Sequence, residues 1–195
     1  LGPDALLGQT VLVAGGAGAV GNAAIQLAVW SGATVITTVS SPEKAALARA
    51  AGAHHVIDYR TEDVAARIAE IAAEGVDLVV EVAPADNLGL DLEVVRNRGT
   101  IAFYANNGGD EATVPVRPAF AKNVRVQGLL LYTLGADLLA AATDDVTAAV
   151  AAGALRVGEA VGLPLHHYDL AETAAAHDAV ESGAVGKVLL DLDRR

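Results

Sequence analysis

The stretch that most constrains this 195-residue chain is residues 11–30. Val11-Leu12-Val13-Ala14 is apolar without a break. Gly15-Gly16-Ala17-Gly18-Ala19-Val20-Gly21 is glycine-rich, and Asn22 to Trp30 is helix-forming. A short apolar run without alternation reads as a strand covered on both faces, as in a parallel sheet. Glycines directly after it let the backbone turn tightly and approach another group closely. A helix starting there presents unpaired N–H groups and a positive dipole end to that turn. Gly16-x-Gly18-x-x-Gly21 matches the dinucleotide-binding fingerprint in spacing and in context. With 20 glycines in the chain the spacing alone says little, so the flanking strand and helix carry the reading.

The rest of the chain continues the same alternation. Residues 1–8 read as a helical lead-in, 10–14 as the first strand and 19–31 as the first helix. Thr34–Val39 is rich in β-branched residues and reads as the second strand. Ser41-Pro42 starts the next helix, with Ser41 as N-cap and Pro42 at the first helical position. A third strand at 55–57, a helix at 61–73 capped by Thr61, and a strand at 76–82 follow. Then come a helix at 86–96, a strand at 99–103, a loop at 104–109, a short helix at 118–123, a sixth strand at 124–131 and a long helix at 136–152. This order implies an α/β fold, a doubly wound, six-stranded parallel Rossmann sheet. Residues 159–165, 169–182 and 187–192 read as a strand-helix-strand extension. The expected division is a dinucleotide-binding domain at 1–158 and a C-terminal segment at 159–195.

Composition excludes several function classes. The formal charge is −11, and the 13 basic residues are scattered, with Arg194-Arg195 only a terminal pair, so no nucleic-acid role is expected. The apolar residues 11–39 are broken by the glycine turn and polar side chains, so they read as buried β-α-β and not as a membrane span. No signal peptide is visible, and a cytoplasmic location is expected. The chain has no cysteine, which removes disulfides and thiolate zinc sites within it.

The second strand speaks to the type of nucleotide. An NAD site usually carries a carboxylate at that strand's end to accept from the ribose hydroxyls. Here no acidic residue occurs between Asp4 and Glu43. The strand ends Thr38-Val39-Ser40-Ser41, and Lys44 follows one helical turn later. Hydroxyls and a cation suit a 2′-phosphate, so NADPH is the expected cofactor.

At this point the residues resemble a known family. Gly15-Gly-Ala-Gly-Ala-Val-Gly21, Thr38-Val-Ser-Ser-Pro-Glu-Lys44 and Gly52-Ala-His-His-Val-Ile-Asp-Tyr-Arg60 are similar to the medium-chain dehydrogenase/reductase superfamily. The zinc-independent NADPH:quinone oxidoreductase branch, including the ζ-crystallin group, is the nearest resemblance. Glu81-Val-Ala-Pro-Ala-Asp-Asn-Leu88 and the ending Gly186-Lys187-Val-Leu-Leu also look like that branch.

The resemblance implies site residues. Ala17, Gly18, Ala19 and Val20 would cover the pyrophosphate. Ser40, Lys44 and Tyr59 would surround the 2′-phosphate and adenosine ribose. Asn87 would stand on the adenine side. Tyr104, Ala105, Asn106 and Asn107 would lie along the nicotinamide half, and Leu129, Leu130 and Leu131 would border the nicotinamide. It also implies hydride transfer to a quinone or a related electron-poor carbonyl such as an enone. A preceding GroES-like catalytic domain is implied too, to which residues 159–195 would return; this segment alone is then expected to be inactive. A homodimer through the apolar sixth strand, an edge, is expected as well. Alternatives are an enoyl reductase domain of a larger synthase and a non-catalytic nucleotide-binding module. Many relatives carry Gly where Ala19 stands, and Asn106-Asn107-Gly108-Gly109 is richer in glycine and amides than usual.

The remaining candidates are weaker. Adjacent histidines in an extended chain, His54-His55 and His166-His167, point to opposite faces and do not easily share a metal; no metal site is expected. His177, on an alanine-rich helix, and Trp30, at the end of the first helix, read as packing residues. Glu81 is the best lone carboxylate near the expected cleft, and a hydrogen-bonded strand terminus is its ordinary reading. No Gly-x-Ser-x-Gly elbow occurs among the four serines. No catalytic residue is assigned.

Overall fold

The computed structural model describes residues 2–192. Leu1 of the expected lead-in and the Arg194-Arg195 pair lie outside the described residues. Among the described residues, eight strands and seven α-helices follow in the order β1 (Thr10–Val13), α1 (Ala19–Trp30), β2 (Thr34–Val39), α2 (Pro42–Ala50), β3 (His55–Asp58), α3 (Val64–Ile71), β4 (Val76–Glu81), α4 (Pro84–Val94), β5 (Val95–Phe103), α5 (Val116–Ala121), β6 (Arg125–Gly128), α6 (Ala136–Ala151), β7 (Leu165–Asp169), α7 (Thr173–Glu181) and β8 (Lys187–Asp191).

The first six strands form one parallel sheet in the order β3-β2-β1-β4-β5-β6. Strand order reverses between β1 and β4, and in such sheets the crevice outside the carboxyl ends at that reversal is where ligands bind. Side chains alternate across the sheet as a pleated strand requires. Val11, Val13, Val35 and Val39 pack with Ile25, Ala28, Ala45 and Ala48 of α1 and α2. Leu12, Ile36, Ile57, Val79 and Ile101 pack on the other face with Val64, Ile68, Leu88 and Leu92 of α3 and α4. Each face thus has its own apolar layer, which explains why these strands carry no polar stripe.

Several expectations shift in detail. Residues 3–8 form turns and not a helix, with Asp4 at φ 64°. Asp63, not Thr61, caps α3 by accepting from the Ala66 N–H at 3.0 Å. Thr61 and Glu62 are already used in closing the turn after β3: the Thr61 hydroxyl donates to the Asp58 carbonyl, and Glu62 accepts from the Asp58 N–H. The first part of the extension is not a strand. Glu159–Val161 is a single 3-10 turn, because Gly158 and Gly162 at φ 102° and 69° bend the chain on both sides of it. The strand comes later, as β7, and pairs with β8 in a separate two-stranded parallel sheet. β6 stops at Gly128, so Leu129, Leu130 and Leu131 lie beyond it. Trp30 is half-buried, and His177 is exposed and not packed.

The C-terminal segment is tied to α1 by buried amides. Asn22 Nδ2 donates to the Val161 carbonyl at 2.7 Å, and Gln26 Nε2 donates to Asn22 Oδ1 at 2.7 Å. Gln26 also exchanges hydrogen bonds with the backbone of Arg156 in both directions. Elsewhere Lys122 Nζ reaches the carbonyls of Leu92, Glu93 and Val95 at 2.7–2.9 Å, closing the C-terminus of α4. No helix among the described residues is long and apolar enough to cross a membrane.

Candidate functional site

β1 delivers the chain to the glycine turn at the sheet's carboxyl edge. Gly15 takes φ 68°, in the left-handed region that favours glycine. The Gly15 N–H meets Thr38 Oγ1 at 3.3 Å, and the Gly16 N–H meets the Thr38 carbonyl at 3.3 Å, so the turn is held against the end of β2. A Cβ on Gly16 would stand 2.7 Å from Ile25 Cδ1, and one on Gly21 would stand 2.5 Å from the Gly15 carbonyl oxygen. Both glycines are therefore required by the packing of the turn itself. Gly18 is the N-cap of α1 and offers no side chain to the first turn, whose N–H groups stay available at the rim.

A cleft of about 370 Å³ opens above this turn. It is lined by Ala17, Gly18, Ala19 and Val20 from the turn and α1, Ser40 and Lys44 from the β2–α2 junction, and Tyr59, Tyr104 and Asn107 from the ends of β3 and β5. Lys44 Nζ donates to Ser40 Oγ at 3.0 Å, and Ser41 caps α2 by accepting from the Lys44 N–H at 3.3 Å. No carboxylate lines this cleft among the described residues. A cavity of about 380 Å³ adjoins it, shares Gly15, Thr38, Tyr59, Val82 and Asn107, and adds Asn87 with Glu81, Asp86 and Asp91.

Glu81 is buried at the end of β4, where its Oε1 accepts from the Val82 and Ala83 N–H groups at 2.8 and 2.5 Å and from Asn87 Nδ2 at 3.1 Å. It is thus a hydrogen-bonded strand terminus. Burial, and then the negative charge of Glu81, push the Tyr104 hydroxyl above its usual range.

Nine of the fifteen expected residues meet in the first cleft, and Asn87 joins through the second. Ala105 and Asn106 instead line a separate apolar cavity beside α4 and β6, where Asn106 Nδ2 donates to Asp110 Oδ1 at 2.6 Å. Leu129, Leu130 and Leu131 line neither cleft and are 40%, 57% and 57% exposed. Thr38, Val39 and Val82 at the strand ends, and Gly183, Ala184 and Val185 between α7 and β8, were not expected in the cleft. The strand-end residues could have been found from the edge of the sheet. The last three carry no local signal, since only the tertiary fold brings residues so distant in sequence to the glycine turn. The histidine pairs serve separate partners: His54 accepts from the Val35 N–H, His166 donates to the Val185 carbonyl and His167 pairs with Asp191. Among the described residues no group of three or more His, Cys, Asp or Glu could hold a metal ion.

A 3-2-1-4-5-6 parallel sheet with a glycine turn and cleft at its reversal point defines the doubly wound Rossmann class. The family model described as zinc-binding dehydrogenase matches residues 19–152, and the chain belongs to that family. It is 35% identical over 179 residues to a 2-haloacrylate reductase of Burkholderia sp, covering 87% of this chain and 51% of that protein. It is 28% identical over 186 residues to the quinone oxidoreductase of Homo sapiens, covering 94% of this chain and 54% of that protein. The crystal structure of Escherichia coli quinone oxidoreductase complexed with NADPH superposes with a TM-score of 0.81 at 29% identity, over 98% of this chain and 58% of that one. The chain spans about half the length of the curated relatives it matches.

Proposed function

We propose that this chain binds NADPH and presents it to a quinone or a related electron-poor, conjugated carbonyl. The observation that carries the reading is the rim of the cleft, where Lys44 Nζ and Ser40 Oγ stand 3.0 Å apart with no carboxylate in the lining. A dianionic 2′-phosphate gains charge-assisted hydrogen bonds there, whereas a plain ribose finds no acceptor of its hydroxyl protons from a carboxylate. The uncapped first turn of α1 would take the pyrophosphate. Tyr59 and Asn87 would flank the adenosine half, and Tyr104 and Asn107 the other half. When bound, the nicotinamide supplies the hydride; these residues bind, orient and exclude water. Titration of the chain with both cofactors tests this. Saturable binding on the order of micromolar for NADPH, with at least about tenfold weaker NADH, is expected. Equal affinity for the two removes the 2′-phosphate role.

The 35% identity to a 2-haloacrylate reductase favours a second acceptor class, an α,β-unsaturated acid. Comparing quinone-dependent and 2-chloroacrylate-dependent oxidation of NADPH by the complete polypeptide separates the two. For assembly we propose a homodimer through β6. It is an edge strand, and Val126, Leu129, Leu130 and Leu131 leave an exposed apolar margin along it. Light scattering across micromolar concentrations checks this, and a monomer throughout overturns it.

A further inference from the structure

Of the three carboxyl groups lining the cavity beside the cleft, Asp86 is exposed and two are buried, and NADPH binding gives those two no role. Glu81 ends β4, Asp91 lies on α4, and each is 1% exposed. No Lys or Arg pairs with either among the described residues. Three N–H donors converge on Glu81 Oε1, so that oxygen is fully engaged as an acceptor. Asp91 stands in hydrogen-bonding contact with Glu81, and its Oδ2 meets no donor. Two neighbouring buried carboxylates without a cation cannot both be ionised, so one proton belongs to the pair. Glu81 Oε1 accepts from three donors and Asp91 Oδ2 from none among the described residues, which puts that proton on Asp91. Burial first, and then the charge and hydrogen bond of Glu81, push the Asp91 carboxyl up to about 8.

We propose that Asp91 is a positioning residue of the cofactor site: as a neutral acid it donates to Glu81, and Glu81 then holds the Val82-Ala83 turn and fixes which end of the Asn87 amide faces the cavity. The consequence for recognition is directional. A Glu81 carboxylate can only accept, so Asn87 must give it Nδ2, and Oδ1 is left as the group Asn87 presents to a ligand. That arrangement suits a donor on the bound molecule, such as a ribose hydroxyl or an exocyclic amine. This role rests on the NADPH reading above.

The test uses the wild-type chain with Asp91→Asn and Asp91→Leu, each titrated with NADPH and examined by infrared spectroscopy at neutral pH. The wild type is expected to show the C=O stretch of a protonated, buried carboxyl, and Asp91→Asn to lack it. Because an amide still donates to Glu81, Asp91→Asn keeps NADPH affinity within about twofold, while Asp91→Leu loses about tenfold. Should Asp91→Leu not fold, the band and the rescue by Asn still decide the matter. A wild type that binds NADPH without the band, or an Asp91→Asn that loses NADPH at least tenfold, overturns the proposal alone. A wild type that shows the band but takes no NADPH overturns the cofactor reading and the positioning role together.

Discussion

Lys44 Nζ sits 3.0 Å from Ser40 Oγ, so the cation on the first turn of α2 is aimed back over the end of β2. Among the described residues no carboxylate lines the cleft to neutralise Lys44. Lys44→Ala is expected to weaken NADPH about tenfold to a hundredfold, the usual range for losing one charge-assisted hydrogen bond. NADH binding should change by less than about twofold, and wild-type NADPH affinity should fall as salt is added. Fluorescence titration of both cofactors at two ionic strengths measures all three.

Gly21→Ala tests the turn itself. The added methyl would stand 2.5 Å from the Gly15 carbonyl oxygen and 2.8 Å from Gly16 Cα, both backbone atoms that cannot rotate away. Separation of α1 from the turn should cost about 1–3 kcal/mol of stability and reduce binding of both cofactors alike. Thermal unfolding and titration of the same sample report it; unchanged values in both would show that the turn has slack.

Asn22→Ala removes the donor to the Val161 carbonyl and the acceptor for Gln26, all in a buried setting. A loss of about 1–3 kcal/mol is expected from the groups left unpaired. Urea unfolding measures it. Limited proteolysis should cut faster between α6 and β7 than in the wild type; identical cleavage would mean that the amide does not anchor this segment.

Asp91 gives stability a pH dependence of known sign. Its folded-state value of about 8 lies above the ordinary 3.8, so the folded chain holds this proton more tightly than the unfolded one. The stabilisation is complete below about pH 4 and is lost as pH rises through about 8. Asp91→Asn removes that titration. Urea unfolding as a function of pH should therefore show the wild type losing ground to Asp91→Asn between about pH 4 and 8 and no further above it. A difference that stays constant with pH would place the ionisation elsewhere.

The layered sheet and the glycine turn were legible in the sequence because their signals are local. Unbroken apolar strands such as Val11-Leu12-Val13 announce cover on both faces, and Ser41-Pro42 announces a helix start. The resemblance to medium-chain dehydrogenases/reductases and to their quinone oxidoreductases was likewise visible in the Gly15–Gly21, Thr38–Lys44 and Glu81–Leu88 motifs, and the family match and the quinone oxidoreductase relatives agree with it. What was misread depended on competition between neighbours or on tertiary contact. Thr61 and Asp63 are both capping residue types, and the turn after β3 takes up Thr61 and leaves the cap to Asp63. The apolar run through Leu131 reads as one long strand. A Cβ on Gly128 would stand 3.0 Å from the Phe103 ring, and beyond that crowded point the chain leaves the sheet, so the leucines expected at the cofactor lie outside it. Gly183, Ala184 and Val185 reach the cleft only because α7 and β8 fold back onto it.

The close fit of Gly21 against Gly15 has a mechanical meaning. With no gap between turn and helix, the turn cannot move toward α1 unless α1 shifts with it. Asn22 and Gln26 on the next turns of α1 grip the backbone at Val161 and Arg156. The glycine turn, α1 and the start of the C-terminal segment are thus geared together. A strain applied at the glycine turn would be delivered to Arg156 and Val161, at the root of the segment whose Gly183–Val185 loop lines the same cleft.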